Sequence, residues 1–147
     1  ALLHYWRHRK MPVLHVKHVS DHPGSIFYRH SSGCEFLPEV APVAGEDVIE
    51  KMKSSAFLET LLESRLRKID PQQLVLVGFT ANECIDATAR DAAALGFSAY
   101  VVGDATAMFD MKGPDGKLLK AERLHKLTLA NLNAFYAKVI QTKDIIS

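Results

Sequence analysis

Little in this sequence leans to an extreme, and each shortage removes a class of function. It has two cysteines, Cys34 and Cys84, in 147 residues. They lie far apart in unlike contexts, which is not the paired framework of a disulfide-stapled secreted domain. Charge of one sign is not in excess: 18 Lys+Arg stand against 17 Asp+Glu, a formal net charge of +1. No basic field therefore points to nucleic acid or acidic lipid. No apolar run approaches the ~18–20 residues that span a membrane, and no signal-peptide pattern opens the chain. Low-complexity tracts and internal repeats are missing as well. With unpaired thiols and no leader pattern, the expected location is the cytoplasm.

What is present is an ordinary globular composition, 48% hydrophobic and 24% charged, enough for one domain over residues 1–147 with a substantial core. Leu2, Leu3 and Trp6 share one face of an opening helix, which Pro12 stops. Val13-Leu14-His15-Val16 reads as a strand. Residues 18–45 shift to Gly, Ser, Pro, His and aromatics without a period, a long loop of the kind that often carries function. Val48-Ile49 predicts a brief strand and residues 54–68 a helix, with Ser54 or Ser55 as cap and Phe57, Leu58, Leu61, Leu62 and Leu66 as its apolar stripe. Leu74-Val-Leu-Val77, ended by Gly78, predicts a strand buried on both faces. A helix over 83–95 closes at Gly96, and Ala99-Tyr-Val-Val102 is the next strand. Residues 110–116 form a turn-rich connection, 121–134 an amphipathic helix, and Val139-Ile140 a last strand. Strands alternating with helices predict an α/β fold, three layers α/β/α around a mostly parallel sheet.

In open parallel sheets, sites form where strand carboxyl ends meet helix amino ends. Gly78-Phe-Thr-Ala-Asn-Glu-Cys84 lies at such a junction. With Asn82 as N-cap, Cys84 falls in the first helical turn, where the helix dipole favours a thiolate and backbone N–H groups can receive an oxyanion. A buried structural cysteine is the competing reading. Lys51 follows a second strand end and could pair with a thiolate or carbonyl oxygen, although a lysine between Glu50 and Lys53 is by default solvated. His15 and His18 point to opposite faces of one strand and cannot chelate through it. His22, His30 and Asp21 sit in the long loop without tight ligand spacing, so no metal is predicted. His125 reads as packed, Asp86 and Arg90 as an i,i+4 helix pair, and Cys34 as a bystander thiol. Gly113-Pro-Asp-Gly116 is a turn, lacking the Lys-Ser/Thr ending of a phosphate loop.

Three ordered blocks resemble the isochorismatase-like cysteine hydrolase superfamily, the relatives of nicotinamidase and N-carbamoylsarcosine amidohydrolase, across almost the whole chain. Gly45-Glu-Asp-Val-Ile-Glu-Lys51 with Ser55-Ala-Phe57 is similar to its lysine block. Gly78-Phe-Thr-Ala-Asn-Glu-Cys-Ile-Asp-Ala-Thr-Ala-Arg-Asp-Ala92 is similar to its cysteine block, and Val101-Val-Gly-Asp-Ala105 to the strand that follows. The resemblance implies a six-stranded parallel sheet and an Asp–Lys–Cys triad. Cys84 would be the nucleophile on an amide, ureido or carbamoyl C–N bond, forming a thioester, with Lys51 holding charge beside it. The oxyanion hole would use the backbone N–H groups of Thr80 and Cys84, with a cis peptide at Phe79–Thr80.

The family's aspartate lies on a strand before the first helix, and the chain opens in that helix. No residue is therefore named as general base, and the strand is expected upstream of Ala1. Asp104 matches a different block. Ala81 stands where the family often has Thr. The expected partner is a small-molecule substrate, with no cofactor, no nucleic acid and no membrane, in a homo-oligomer. Asp21-His22-Pro23 lacks the full metal-binding spacing of the nicotinamidase branch. The competing class is a non-catalytic relative serving as a binding or assembly subunit.

Overall fold

Pro12, which cannot continue a helix, separates α1 (Leu2–His8) from strand β1 (Leu14–His18). Lys10 takes a left-handed φ of 55°. The N–H groups of Lys10 and Met11 turn back to the carbonyls of Arg7 and Trp6 at 3.0 and 3.1 Å, closing the last helical turn as a C-terminal cap does. These elements are seen in a computed structural model that describes residues 1–146. The chain folds as two compact units that meet in sequence at Ile69 and Asp70.

In the first unit β1 pairs in parallel with β2 (Asp47–Lys51), from Leu14 opposite Asp47 to His18 opposite Lys51. Parallel strands need a long crossover, and residues 19–46 supply it without an α-helix. The segment is folded on itself. Ser20 bridges Tyr28, its N–H donating to Phe27 O at 2.8 Å and its carbonyl accepting from Arg29 N at 3.0 Å. Cys34, expected as a bystander, is buried beneath this turn, with Sγ 2.7 Å from Phe27 O and 3.3 Å from Tyr28 O. Its neighbour Gly33 packs so tightly that a Cβ would lie 1.8 Å from Ile26 O.

The return of the crossover is tied down by one carboxylate. Glu46 accepts from Arg7 Nε and Nη2 at 2.7 and 2.8 Å and from Val43 N at 3.0 Å, and lies 2.7 Å from His15 Nε2. Arg7 also donates to Ala41 O at 2.8 Å. The bonds from Arg7 above all hold the Glu46 carboxyl well below the usual carboxylate range.

Helix α2 runs over Leu62–Ile69, burying Leu62 and Leu66, and so begins later than the expected 54. Glu59 sits at φ 58°, which no α-helix admits. Ser55 and Thr60 turn the backbone instead. Ser55 Oγ accepts from Phe57 N at 3.2 Å, and Thr60 Oγ1 accepts from Leu62 N at 3.1 Å while donating to Ala56 O.

The second unit carries β3 (Leu74–Phe79) and β4 (Ala99–Ala107), joined by helix α3 (Asp86–Ala94). A hairpin of β5 (Met111–Lys112) and β6 (Leu118–Leu119) turns through Gly113-Pro-Asp-Gly116. Helix α4 (Ala121–Phe135) leads to β7 (Lys138–Ile140). The sheet order is β3-β4-β7, all parallel. The α/β class with parallel pairing is thus as the alternation predicts. Ile85, Ala89, Val101 and Leu132 form the core, with Leu76, Leu129, Tyr136 and Val139 packed on it. Ala89 and Ala92 are fully buried, and their small side chains bring α3 close to the sheet. The expectation that β3 is buried on both faces holds at Leu74 but fails at its carboxyl end, where Val77 and Phe79 are exposed. There the register against β4 slips between Leu76 and Gly78, and Gly78 takes φ 124°, a value that favours glycine.

Candidate active site

The chain leaves β3 through a cis peptide between Phe79 and Thr80, the position the resemblance implies. It does not enter an α-helix at once. Ala81–Ile85 forms a π turn, with Thr80 O accepting from Ile85 N at 3.1 Å and from Glu83 N at 3.3 Å. Ala81 and Ile85 are buried and pin both ends of the turn, while Cys84 between them is half-buried. The competing reading of Cys84 as an interior structural thiol therefore does not describe it; Cys34 is the buried one. The turn runs directly into α3, so Cys84 stands just ahead of that helix's positive end.

Asn82 is not the N-cap. The π turn starts from Thr80, which places Asn82 inside it, and Asn82 Nδ2 donates to Met111 Sδ of the hairpin at 3.2 Å. Single-turn π segments recur at functional sites because they shift the side chains that follow out of α-helical phase. Here that shift falls on Cys84. Nothing in the residue pattern signals it, since a π turn and an α turn share the same propensities.

Lys51 lies in the first unit, at the carboxyl end of β2. It is not a solvated surface lysine: only 5% of it is exposed. Its Nζ donates to Lys53 O at 2.8 Å and lies 3.2 Å from His18 Nδ1. A buried ammonium held in a polar cage keeps its charge in a fixed place, unlike a solvated one. His18 is the residue that sequence reasoning passed over. The spacing within its own strand relates it only to His15, whereas across the strand pair His18 is the register partner of Lys51. The two histidines do face apart: His15 meets Glu46, and His18 meets Lys51.

The remaining candidates have structural partners. Asp104 accepts from Thr142 N and Oγ1 at 2.8 and 3.0 Å. His125 Nε2 is 3.0 Å from the buried Thr106 Oγ1. Asp21 pairs with Arg29, and His22 Nδ1 accepts from Gly24 N at 3.1 Å. Asp86 and Arg90 form their two-bonded helix pair at 2.6 and 3.0 Å, with the guanidinium 4.3 Å from the Tyr136 ring centre. Among the described residues no three His, Cys, Asp or Glu side chains converge in a way that could hold a metal ion. None of the helices among them is long and apolar enough to cross a membrane.

Comparison with known proteins identifies the family and its fold. An isochorismatase family protein of Bacillus subtilis is 32% identical over 146 residues, covering 99% of this chain and 78% of its own. Nicotinamidase 3 of Arabidopsis thaliana is 29% identical over 91% of this chain and 69% of its own. A ureidoacrylate amidohydrolase of Caulobacter segnis is 28% identical over 95% of this chain and 54% of its own. Among solved structures, an isochorismatase-family protein of Chromobacterium violaceum superposes with a TM-score of 0.94 at 37% identity, covering 99% of this chain and 75% of that one. An isochorismatase of Pseudomonas putida gives 0.92 at 30% identity, covering 97% and 73%. The isochorismatase domain model matches residues 1–144, and the chain belongs to the isochorismatase family of hydrolases.

Proposed function

We propose that the chain is a cysteine-dependent hydrolase of C–N bonds, amide, ureido or carbamoyl, in a small molecule. The observation that carries this reading is the placement of Cys84, half-buried on the turn between β3 and the amino end of α3. A thiol there is exposed enough to meet a substrate and stands beside the helix's positive end, where negative charge developing on the substrate oxygen is stabilised. The nicotinamidase and ureidoacrylate amidohydrolase relatives support the choice of bond.

In this reading Cys84 Sγ attacks the carbonyl carbon, and the oxygen takes negative charge facing the backbone N–H groups of Thr80 and Cys84. Collapse breaks the C–N bond; the nitrogen takes up the proton that the Cys84 thiol gave up on attack and leaves as ammonia or an amine. Water then attacks the thioester carbon, the C–S bond breaks, and the acid leaves with the thiol restored. Lys51 is the fixed cation of the reaction. Asp104 has no part in it, being held by Thr142.

The test is a screen of small primary amides, ureides and N-carbamoyl compounds for ammonia or amine release, with intact-mass capture of the thioester. Turnover that vanishes in C84A and an acyl adduct on Cys84 are expected. A chain that binds such compounds without turnover, and whose Cys84 is alkylated no faster at neutral pH than buried Cys34, would instead be a binding subunit.

A further inference from the structure

We infer that His18 is the positioning residue of Lys51, its neutral imidazole fixing the ammonium through Nδ1. The inference rests on the hydrolase reading for its catalytic consequence, but the pair itself is read from the first unit alone.

Three observations converge on it. His18 and Lys51 are register partners at the carboxyl ends of β1 and β2, so the strands deliver the two side chains to one place. The Nζ to Nδ1 distance is 3.2 Å. An ammonium has only donors, so Nδ1 must be the acceptor and the imidazole must be neutral with its proton on Nε2. The imidazole is itself held. The Phe27 ring meets it edge-on with centroids 5.1 Å apart, and Val19, the next residue, donates its N–H to Lys51 O at 2.9 Å.

Lys51 has a long flexible stem, and a buried ammonium on such a stem needs several acceptors to hold one direction. Lys53 O supplies one at 2.8 Å and His18 Nδ1 a second. Removing His18 Nδ1 takes away one of these fixed directions. The arrangement also makes the geometry depend on pH. Protonation of His18 would set two cations 3.2 Å apart, so acid breaks the bond and rising pH restores it.

The charges near this end of the pair are otherwise taken. Glu50 faces Lys17 and Arg29, and Arg29 also holds Asp21. The Cys34 thiol lies 3.8 Å from the His18 carbonyl, not from its ring. Lys51 is a charged group that the strand register places against the imidazole.

Two variants and one spectrum test this. H18F keeps an aromatic ring against Phe27 and deletes the acceptor; kcat should fall about 10- to 100-fold with KM changed less than about 3-fold. H18N places an amide oxygen near the position of Nδ1 and cannot titrate; it should recover most of that loss and lack the acid limb that His18 gives the parent profile. An H18F chain as active as the parent, or an H18N chain no better than H18F, would overturn the inference. Long-range 1H–15N spectra of the full chain need no substrate. They should show His18 neutral with its proton on Nε2 at pH 7.5, and K51M should raise its pKa by about one unit or more. A proton on Nδ1, or no response to K51M, sinks the pairing whatever the activity. The expected spectra in a chain that hydrolyses nothing would uphold the pairing and retire the hydrolase reading instead.

Discussion

The two units solve the problem of parallel strands by opposite means. The unit from Asp70 onward uses helices: α3 and α4 close a sheet around Ile85, Ala89, Val101 and Leu132, the last three fully buried. The unit ending at Ile69 uses polar side chains. Its β1–β2 pair is joined by a crossover without an α-helix, and Glu46, Arg7 and His15 lock the return. Apolar packing is indifferent to pH and intolerant of lost volume. A carboxylate knot is the reverse, since its strength is set by protonation and by the completeness of its bonds. The candidate site residues divide the same way: Cys84 stands on a turn pinned by the buried Ala81 and Ile85, Lys51 in a polar cage.

The strongest way to break the contrast is to cut the apolar core. L132A should cost about 3–5 kcal/mol, measured by urea unfolding, with little change in the pH dependence of stability. E46Q should cost less, about 2 kcal/mol, because Arg7 keeps its bond to Ala41 O.

The sharper distinction is in acid. The Glu46 carboxyl is depressed from its ordinary 4.5, so its contribution is fully present above that value and is lost as pH falls toward the lower folded one. E46Q should flatten this slope in thermal melts between pH 5 and 2, whereas L132A should leave it intact. An equal slope in E46Q and the parent would show that the knot does not govern the first unit. The smallest effect belongs to D86N on the surface of α3, about 0.5 kcal/mol or less, shrinking further in high salt.

Much of the second unit was legible because its signals are local. The apolar run at 74–77, Gly96 after α3 and the stripe of α4 each sit within one element, and the cysteine block is a contiguous motif. The first unit hid more. The helix expected from residue 54 fails because Glu59 adopts a left-handed φ, a choice made by the Ser55 and Thr60 turns and not by the apolar spacing. The Glu46 knot joins residues 39 apart in sequence, and the His18–Lys51 pair depends on a strand register that no local pattern encodes. The burial of Cys34 follows from a loop folding back on itself. The π turn at Cys84 lies within a legible motif, yet its extra residue per turn does not change the residue preferences that reveal a helix.

The closeness of Gly33 to the Ile26 carbonyl has a consequence for anyone redesigning the long crossover. Variation there is rationed by depth. Side chains at His22, Pro23 and Ile26 face outward and can be exchanged widely. Position 33 accepts no side chain without opening the turn that shelters Cys34. A library built on this crossover should therefore randomise its outer tip and keep the tightly packed Gly33-Cys34 pair as written.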